Sequence, residues 1–271
     1  MKNGKRIAAI LGIIILLAAA AMPMIFAFDT GEGGAGRFRA AFGAAIMVPI
    51  LAYVMWAVYR MLGRREPVPE SKYKNIVFDV GRVLVDFDWE SYLDSFQFPP
   101  RERQAMAEHI FQSRTWRERD RGSEPDEYYT EAFLADLPEY REDALRVLKD
   151  DYKTIGPRDY AVTWTGYLKK QGYHLYVLSN YCGPILEKTR KHMAFLKYMD
   201  GAVFSYQVRQ LKPEPEIYRT LLDRYHLKPE ETVFLDDTPE NCEGARKLGI
   251  TAIQFKDFKQ AAAELEKLGI K

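Results

Sequence analysis

The sequence predicts an α/β fold: a parallel sheet with helices on both faces, a helical cap inserted after the first strand, and two transmembrane helices ahead of it. Three observations predict it. From Gly172 onward, short apolar runs ending on polar residues alternate with helix-period segments. After Asp88 about seventy residues show helical periodicity alone. Two long, nearly uncharged runs precede everything else.

In chain order, Lys2, Lys5 and Arg6 stand before an uncharged run from Ile7 to Phe28. As a helix its 22 residues reach about 33 Å, enough to cross a bilayer. A second run, Ala40 to Leu62, is broken only by Pro49 and by Arg60 near its end, and Tyr53, Trp56 and Tyr59 add interfacial aromatic character. Asp29 to Arg39, between them, is short and glycine-rich. Arg60, Arg64, Arg65, Lys72 and Lys74 cluster at and after the second run. The expectation is therefore a two-pass protein of the cell membrane, with the N terminus and the large domain cytoplasmic. A signal peptide cleaved near Ala27 competes with this, although the apolar run is longer than a usual signal core. The second span would return the chain to the cytoplasm in either case. The predicted organisation is a hairpin over 1–63, a proline-stiffened linker over 64–71, and a globular domain over 72–271.

Ile76-Val77-Phe78 reads as a buried strand ending on Asp79, with Gly81 permitting a tight turn just beyond. Helical segments follow over Trp89–Phe96, Pro100–Trp116, Glu124–Leu137, Glu139–Lys153 and Arg158–Lys170, divided by Pro99, Gly122, Pro125, Pro138 and Pro157. The first four make up the insertion, about 89–156. Strands at His174–Leu178, Ala202–Phe204, Thr232–Leu235 and Thr251–Phe255 then alternate with helices at Ile185–Met199, Glu216–Tyr225, Asn241–Leu248 and Phe258–Leu268. Thr238 offers an N-cap to the third of these helices and Pro239 its first position. Repeated strand–helix units of this size imply a parallel sheet.

With 39 basic and 38 acidic residues the net charge is +1, and no basic stripe points to a nucleic-acid partner. Two cysteines, Cys182 and Cys242, suffice for neither a disulfide scaffold nor a structural zinc site; they read as free thiols of a reducing compartment. The four histidines lack ligand spacing and read as structural.

The polar residues that carry chemistry lie at strand ends. In a parallel sheet these open on one side, so Asp79, Ser179-Asn180 and Asp236-Asp237 can converge, with Lys212 of QLKPEPEIY in the loop or first turn before a helix. Strand-end carboxylates suit Mg2+, which takes hard oxygen ligands and shares them with phosphate. A lysine brings positive charge to phosphoryl oxygens, and Ser and Asn hydrogen-bond them.

The four segments FDVGRVLVD, VLSN, LKPEPEIY and VFLDDTPENCEGARKLGI, in that order, resemble the four motifs of the haloacid dehalogenase (HAD) superfamily. The likeness covers about Lys72 to Phe255. It implies a Rossmann-like parallel sheet with a helical cap and a Mg2+-dependent phosphatase acting on a small phosphorylated metabolite. By the same resemblance Asp79 would be the nucleophile that forms an aspartyl-phosphate. Ser179, Asn180 and Lys212, with Gly81 and Arg82, would hold the phosphoryl group. Asp79, the Gly81 carbonyl, Asp237 and Asp236 would hold the metal, Asp237 directly and Asp236 from behind. Asn241 would be a structural support.

The chain departs from the family at Gly81, where HAD phosphatases usually carry an aspartate that serves as general acid and base. The FDxGNVxVDxD form of the α-D-glucose-1-phosphate phosphatase branch carries glycine there too, which extends the resemblance to a sugar phosphate. That branch's asparagine is Arg82 here. Loss of a general acid costs about 10²- to 10⁴-fold in rate, so the alternative is a catalytically weak phosphate- and metal-binding module tethered to a membrane partner. The same glycine argues against a phosphomutase, and Asp236-Asp237 favours phosphate over halide. Trp116, Arg117, Arg119 and Arg121 precede Gly122 in the cap. They suit either a substrate-reading loop or a solvated helix end.

Overall fold

The strand β1 (Asn75–Phe78) is buried along its whole length because it is the central strand of a five-stranded parallel sheet covered on both faces. The computed structural model describes residues 71–271 together with the helical positions Phe42, Ile46, Ile50 and Tyr53. The two predicted spans otherwise lie outside the described residues, and among those described no helix is long and apolar enough to cross a membrane.

Beyond β1 the chain forms β2 (Val85–Phe87) and then a helical cap. The cap comprises α1 (Trp89–Asp94), α2 (Pro100–Met106), α3 (Arg114–Arg121), α4 (Asp126–Asp136) and α5 (Arg141–Lys149), and it closes on β3 (Ile155–Pro157). Leu93, Met106, Ile110, Phe133 and Val147 give the cap a core of its own. The strands β2 and β3 pair antiparallel, with Phe87 opposite Ile155, where the chain leaves the core and returns. Neither was predicted, since three residues are too few to show a period. The helix predicted over 100–116 is broken: α2 widens into a π turn at Ala107–Phe111, and the Ser113 hydroxyl caps α3 by accepting from the Trp116 N–H at 3.1 Å.

The remaining helices alternate with strands: α6 (Asp159–Lys170), β4 (His174–Ser179), α7 (Gly183–Thr189), β5 (Gly201–Phe204), α8 (Ser205–Val208), α9 (Pro215–Tyr225), β6 (Thr232–Asp236), α10 (Pro239–Arg246), β7 (Thr251–Gln254) and α11 (Phe258–Lys267). The predicted helix 185–199 stops at Thr189 and continues as two 3-10 turns. The Thr189 hydroxyl donates back to the Ile185 carbonyl and also meets the Tyr181 hydroxyl.

The sheet order is β5-β4-β1-β6-β7. Alternate residues of each strand serve opposite faces. Ile76, Phe78, Val177 and Leu235 pack with Trp164 of α6 and Leu265 of α11. Val77, Tyr176 and Phe234 pack with Ile217 and Leu221 of α9. Phe78 lies opposite Val177 on one side and Leu235 on the other. One residue further on, Asp79 is level with Asp236. The chain builds outward from β1 first to one side and then to the other, and the crevice at this switch point receives the carboxyl ends of β1, β4 and β6.

Candidate active site

Asp79 sits one residue past β1, where its main-chain N–H still donates to the Leu235 carbonyl at 2.9 Å. Its Oδ1 accepts from the Val80 N–H at 2.7 Å and lies 2.9 Å from Lys212 Nζ. The same ammonium is 2.5 Å from Asp236 Oδ2. Lys212 is 2 % exposed, so water screens neither pair effectively. Burial alone would lower the lysine pKa, but Asp236 and Asp79 outweigh it and hold the ammonium above its ordinary value.

Asp236 is fully buried and completely engaged. Its Oδ1 accepts from the Thr238 N–H at 2.9 Å and from Asn241 Nδ2 at 3.0 Å, while Oδ2 takes the lysine. Asp237 is half-buried, and among the described residues its carboxylate accepts only from the Thr238 hydroxyl, at 3.3 Å. Oxygens of Asp79, Asp236 and Asp237 all lie within 4.8 Å of one another. Three carboxylates so close oppose one another's ionisation. Burial raises the Asp79 carboxyl to about 7, with Lys212 pulling it down and the two neighbouring aspartates pushing it up. Asp237 is also raised, by burial and by Asp236. A shared hard cation would relieve this repulsion, and the oxygen-only donor set fits one.

The structure thus brings together Asp79, Lys212, Asp236 and Asp237. Ser179, at the end of β4, is buried, and among the described residues its hydroxyl makes only a 3.4 Å contact, to the Asn180 carbonyl. The side chain of Asn180 engages the Lys212 main chain in both directions: Oδ1 accepts from the N–H at 2.9 Å and Nδ2 donates to the carbonyl at 3.1 Å. It therefore fixes the loop that delivers the lysine. Arg82 points elsewhere. Its guanidinium lies 3.6 Å from Glu90 and over the Phe87 ring, in an open groove that also contains Asp237. The turn after β1 places its positive φ, 58°, at Arg82 and not at Gly81, and a Cβ at Gly81 would meet nothing within 4 Å.

The cap closes over this rim. Arg119 is neither substrate reader nor solvated helix end. It is buried between Asp126, at 2.6 Å, and Asp151, at 2.5 Å. Arg121 reaches across to Glu214 in the core. Trp116 and Asp120 line a cavity between cap and core together with Gly81 and Asn180. Sequence reasoning passed over Asp120, which belongs to no strand-end motif; the only signal was its place just before the Gly122 turn. Cys182 and Cys242 are buried free thiols, as expected.

A family model described as haloacid dehalogenase-like hydrolase matches residues 73–249. Among curated proteins, the chain is 35% identical over 105 residues to bifunctional epoxide hydrolase 2 of Rattus norvegicus. That match takes in 37% of this chain and 19% of the relative, so the chain spans about a fifth of that protein's length. It is 27% identical over 206 residues to D-ribitol-5-phosphate phosphatase of Bacteroides thetaiotaomicron, covering 67% of this chain and 91% of the relative. Among solved structures it is similar in fold to a HAD family enzyme of the same bacterium, crystallised with magnesium and inorganic phosphate, with a TM-score of 0.54, 20% identity, and coverage of 70% of this chain and 98% of that one.

Proposed function

The chain belongs to the haloacid dehalogenase-like hydrolase family, and from that premise we propose that it is a Mg2+-dependent phosphatase of a small phosphorylated metabolite, working through an aspartyl-phosphate on Asp79. The observation that carries the reading is the meeting of Asp79, Asp236 and Asp237 within 4.8 Å at one sheet rim, with Lys212 bridging the first two. The phosphatase activity of the ribitol-phosphate relative and the magnesium and phosphate of the solved neighbour support it.

Each residue follows from its surroundings. Asp79 directs a carboxylate oxygen to phosphorus, and Val80 and Lys212 hold it in place. Lys212 carries a fixed positive charge that a phosphoryl group would share. Asp237, with only one weak bond of its own, is free to bind the cation with Asp79 and the Gly81 carbonyl, while the fully engaged Asp236 supports them from behind. A Mg2+ held by these residues would offset the repulsion between carboxylate and phosphate. The Ser179 hydroxyl, with no strong bond to any described residue, suits a phosphoryl oxygen. Asn180 serves through the Lys212 loop.

A sugar phosphate as substrate rests on the branch resemblance and on the ribitol-phosphate relative. The membrane-tethered, cytosolic placement rests on the two uncharged runs and their basic flanks. Helical Phe42, Ile46, Ile50 and Tyr53, all exposed and on one face, agree with it.

The full chain in detergent, given Mg2+ and a panel of phosphorylated metabolites, is expected to release phosphate. Chelation and Asp79→Asn should each abolish the release. Retained turnover in that variant would refute the nucleophile. Binding of a phosphate analogue without turnover of any panel member would favour the regulatory module instead.

A further inference from the structure

Cleavage of an alkyl phosphate leaves an alkoxide, which needs a proton as the ester bond breaks. The residues at the sheet rim supply none readily. Asp79 is the nucleophile, Lys212 is nested between two carboxylates, Asp236 is saturated, Asp237 would be taken up by the cation, and Gly81 has no side chain. The cavity above Gly81 is walled by Phe87, Trp116 and Ile155, and a single carboxylate, Asp120 at the end of α3, enters it from the cap.

Asp120 is well held. Its carbonyl accepts from Ser205 Oγ at 2.5 Å, and the Cys182 main chain faces its carboxylate and draws the pKa down. The neighbouring arginines are committed elsewhere, Arg119 to Asp126 and Asp151, and Arg121 to Glu118 and Glu214. Asp120 is in no ion pair with any described residue. The charged and titratable groups facing it are Arg119 on its own helix, Asp79 and Lys212 from the rim, and Tyr181 and Cys182 from the loop after β4. The Tyr181 hydroxyl is turned to Thr189.

We propose that Asp120, delivered by the cap, is the catalytic proton donor to the departing oxygen and then the proton acceptor from the hydrolytic water. This rests on the phosphatase reading above. In the first half-reaction an Asp79 oxygen bonds to phosphorus, the ester P–O bond breaks, and the departing oxygen takes the Asp120 proton to leave as the alcohol. In the second, a water oxygen bonds to phosphorus and gives a proton to the Asp120 carboxylate. The P–O bond to Asp79 then breaks, and its electron pair returns to the Asp79 carboxylate. The sum is ester and water to alcohol and phosphate. Burial raises the Asp120 carboxyl to about 7, against the pull of Arg119, so both of its forms are populated near neutral pH. The open space over Gly81 leaves room for the ester oxygen beneath it.

The test compares the full chain and its Asp120→Asn variant on propyl phosphate and p-nitrophenyl phosphate, whose leaving groups differ widely in basicity. In the variant, turnover of propyl phosphate is expected to fall about 10²-fold or more. The rapid first release of p-nitrophenolate should change by less than about threefold. Phosphoenzyme should accumulate during p-nitrophenyl phosphate turnover, visible by intact-mass spectrometry. A first release of p-nitrophenolate slowed as much as propyl phosphate turnover, or no loss on propyl phosphate, would overturn the assignment. The wild type gives a check that needs no variant: its rates across esters should depend weakly on leaving-group basicity, and a steep dependence would overturn the proposal. Wild-type protein inert toward both esters would instead remove the phosphatase reading, and this assignment with it.

Discussion

Arg121 of the cap grips Glu214 of the core through two parallel bonds, Nη1 to Oε2 at 2.8 Å and Nη2 to Oε1 at 2.7 Å. Glu214 lies two residues past Lys212 and also accepts from the Leu211 N–H at 3.2 Å. The clasp therefore ties cap position to the loop that presents the lysine. Both groups are partly exposed, so solvent screens the pair. A double-mutant cycle over Arg121→Ala and Glu214→Ala should give a coupling of about 1 kcal/mol. A coupling indistinguishable from zero would mean that the cap is held by its apolar contacts alone.

Asp79 is strained by its own site. Burial and two neighbouring aspartates raise its carboxyl from 3.8 to about 7. The folded state therefore binds the proton more tightly than the unfolded chain between those values, and stability from this group falls as pH rises through that window. Without metal, Asp79→Asn should stabilise the protein at pH 7 by about 1–3 kcal/mol, with the gain fading towards pH 4. Urea midpoints across that range measure it. Mg2+ should stabilise the wild type more at pH 7 than at pH 5, and the variant much less at either pH.

The buried ion triad in the cap offers a sharper test of stability. Arg119 is 5 % exposed and Asp151 only 1 %. Burial raises the Asp151 carboxyl and Arg119 opposes that rise. Arg119→Ala leaves a buried carboxylate without its cation and should cost about 3–5 kcal/mol. Chemical denaturation read out through the cap tryptophans would show this. A loss below about 1 kcal/mol would mean that water replaces the guanidinium.

At the edge of the sheet, Gly201 leaves no room for a side chain. A Cβ there would lie 2.2 Å from the Tyr225 ring, whose hydroxyl is held by both the N–H and the carbonyl of Ala202. Gly201→Ala is expected to cost about 1–3 kcal/mol through overpacking. Thermal unfolding of this single variant decides it, since a neutral result would require Tyr225 to swing away without losing its bonds.

The strand ends were legible in the sequence because a buried parallel strand is an unbroken apolar run and its polar exit is conspicuous. Asp79, Ser179-Asn180 and Asp236-Asp237 all lie where such runs stop. Order alone therefore determined the parallel α/β sheet, the rim at which these polar residues gather and the meeting of four distant segments, whereas the two predicted spans lie largely outside the described residues. It did not determine what each polar atom touches. That Asn180 serves the Lys212 main chain, that Arg82 turns away to Glu90 and that Arg119 is buried in a triad are results of packing, settled by contacts between residues far apart in the chain. Asp120 is the clearest case. In sequence it is one charge among several before a glycine, and only the docking of the cap on the core places its carboxylate in the cavity over Gly81. Periodicity reports which face of an element is buried, whereas the partner across that face is chosen by tertiary structure.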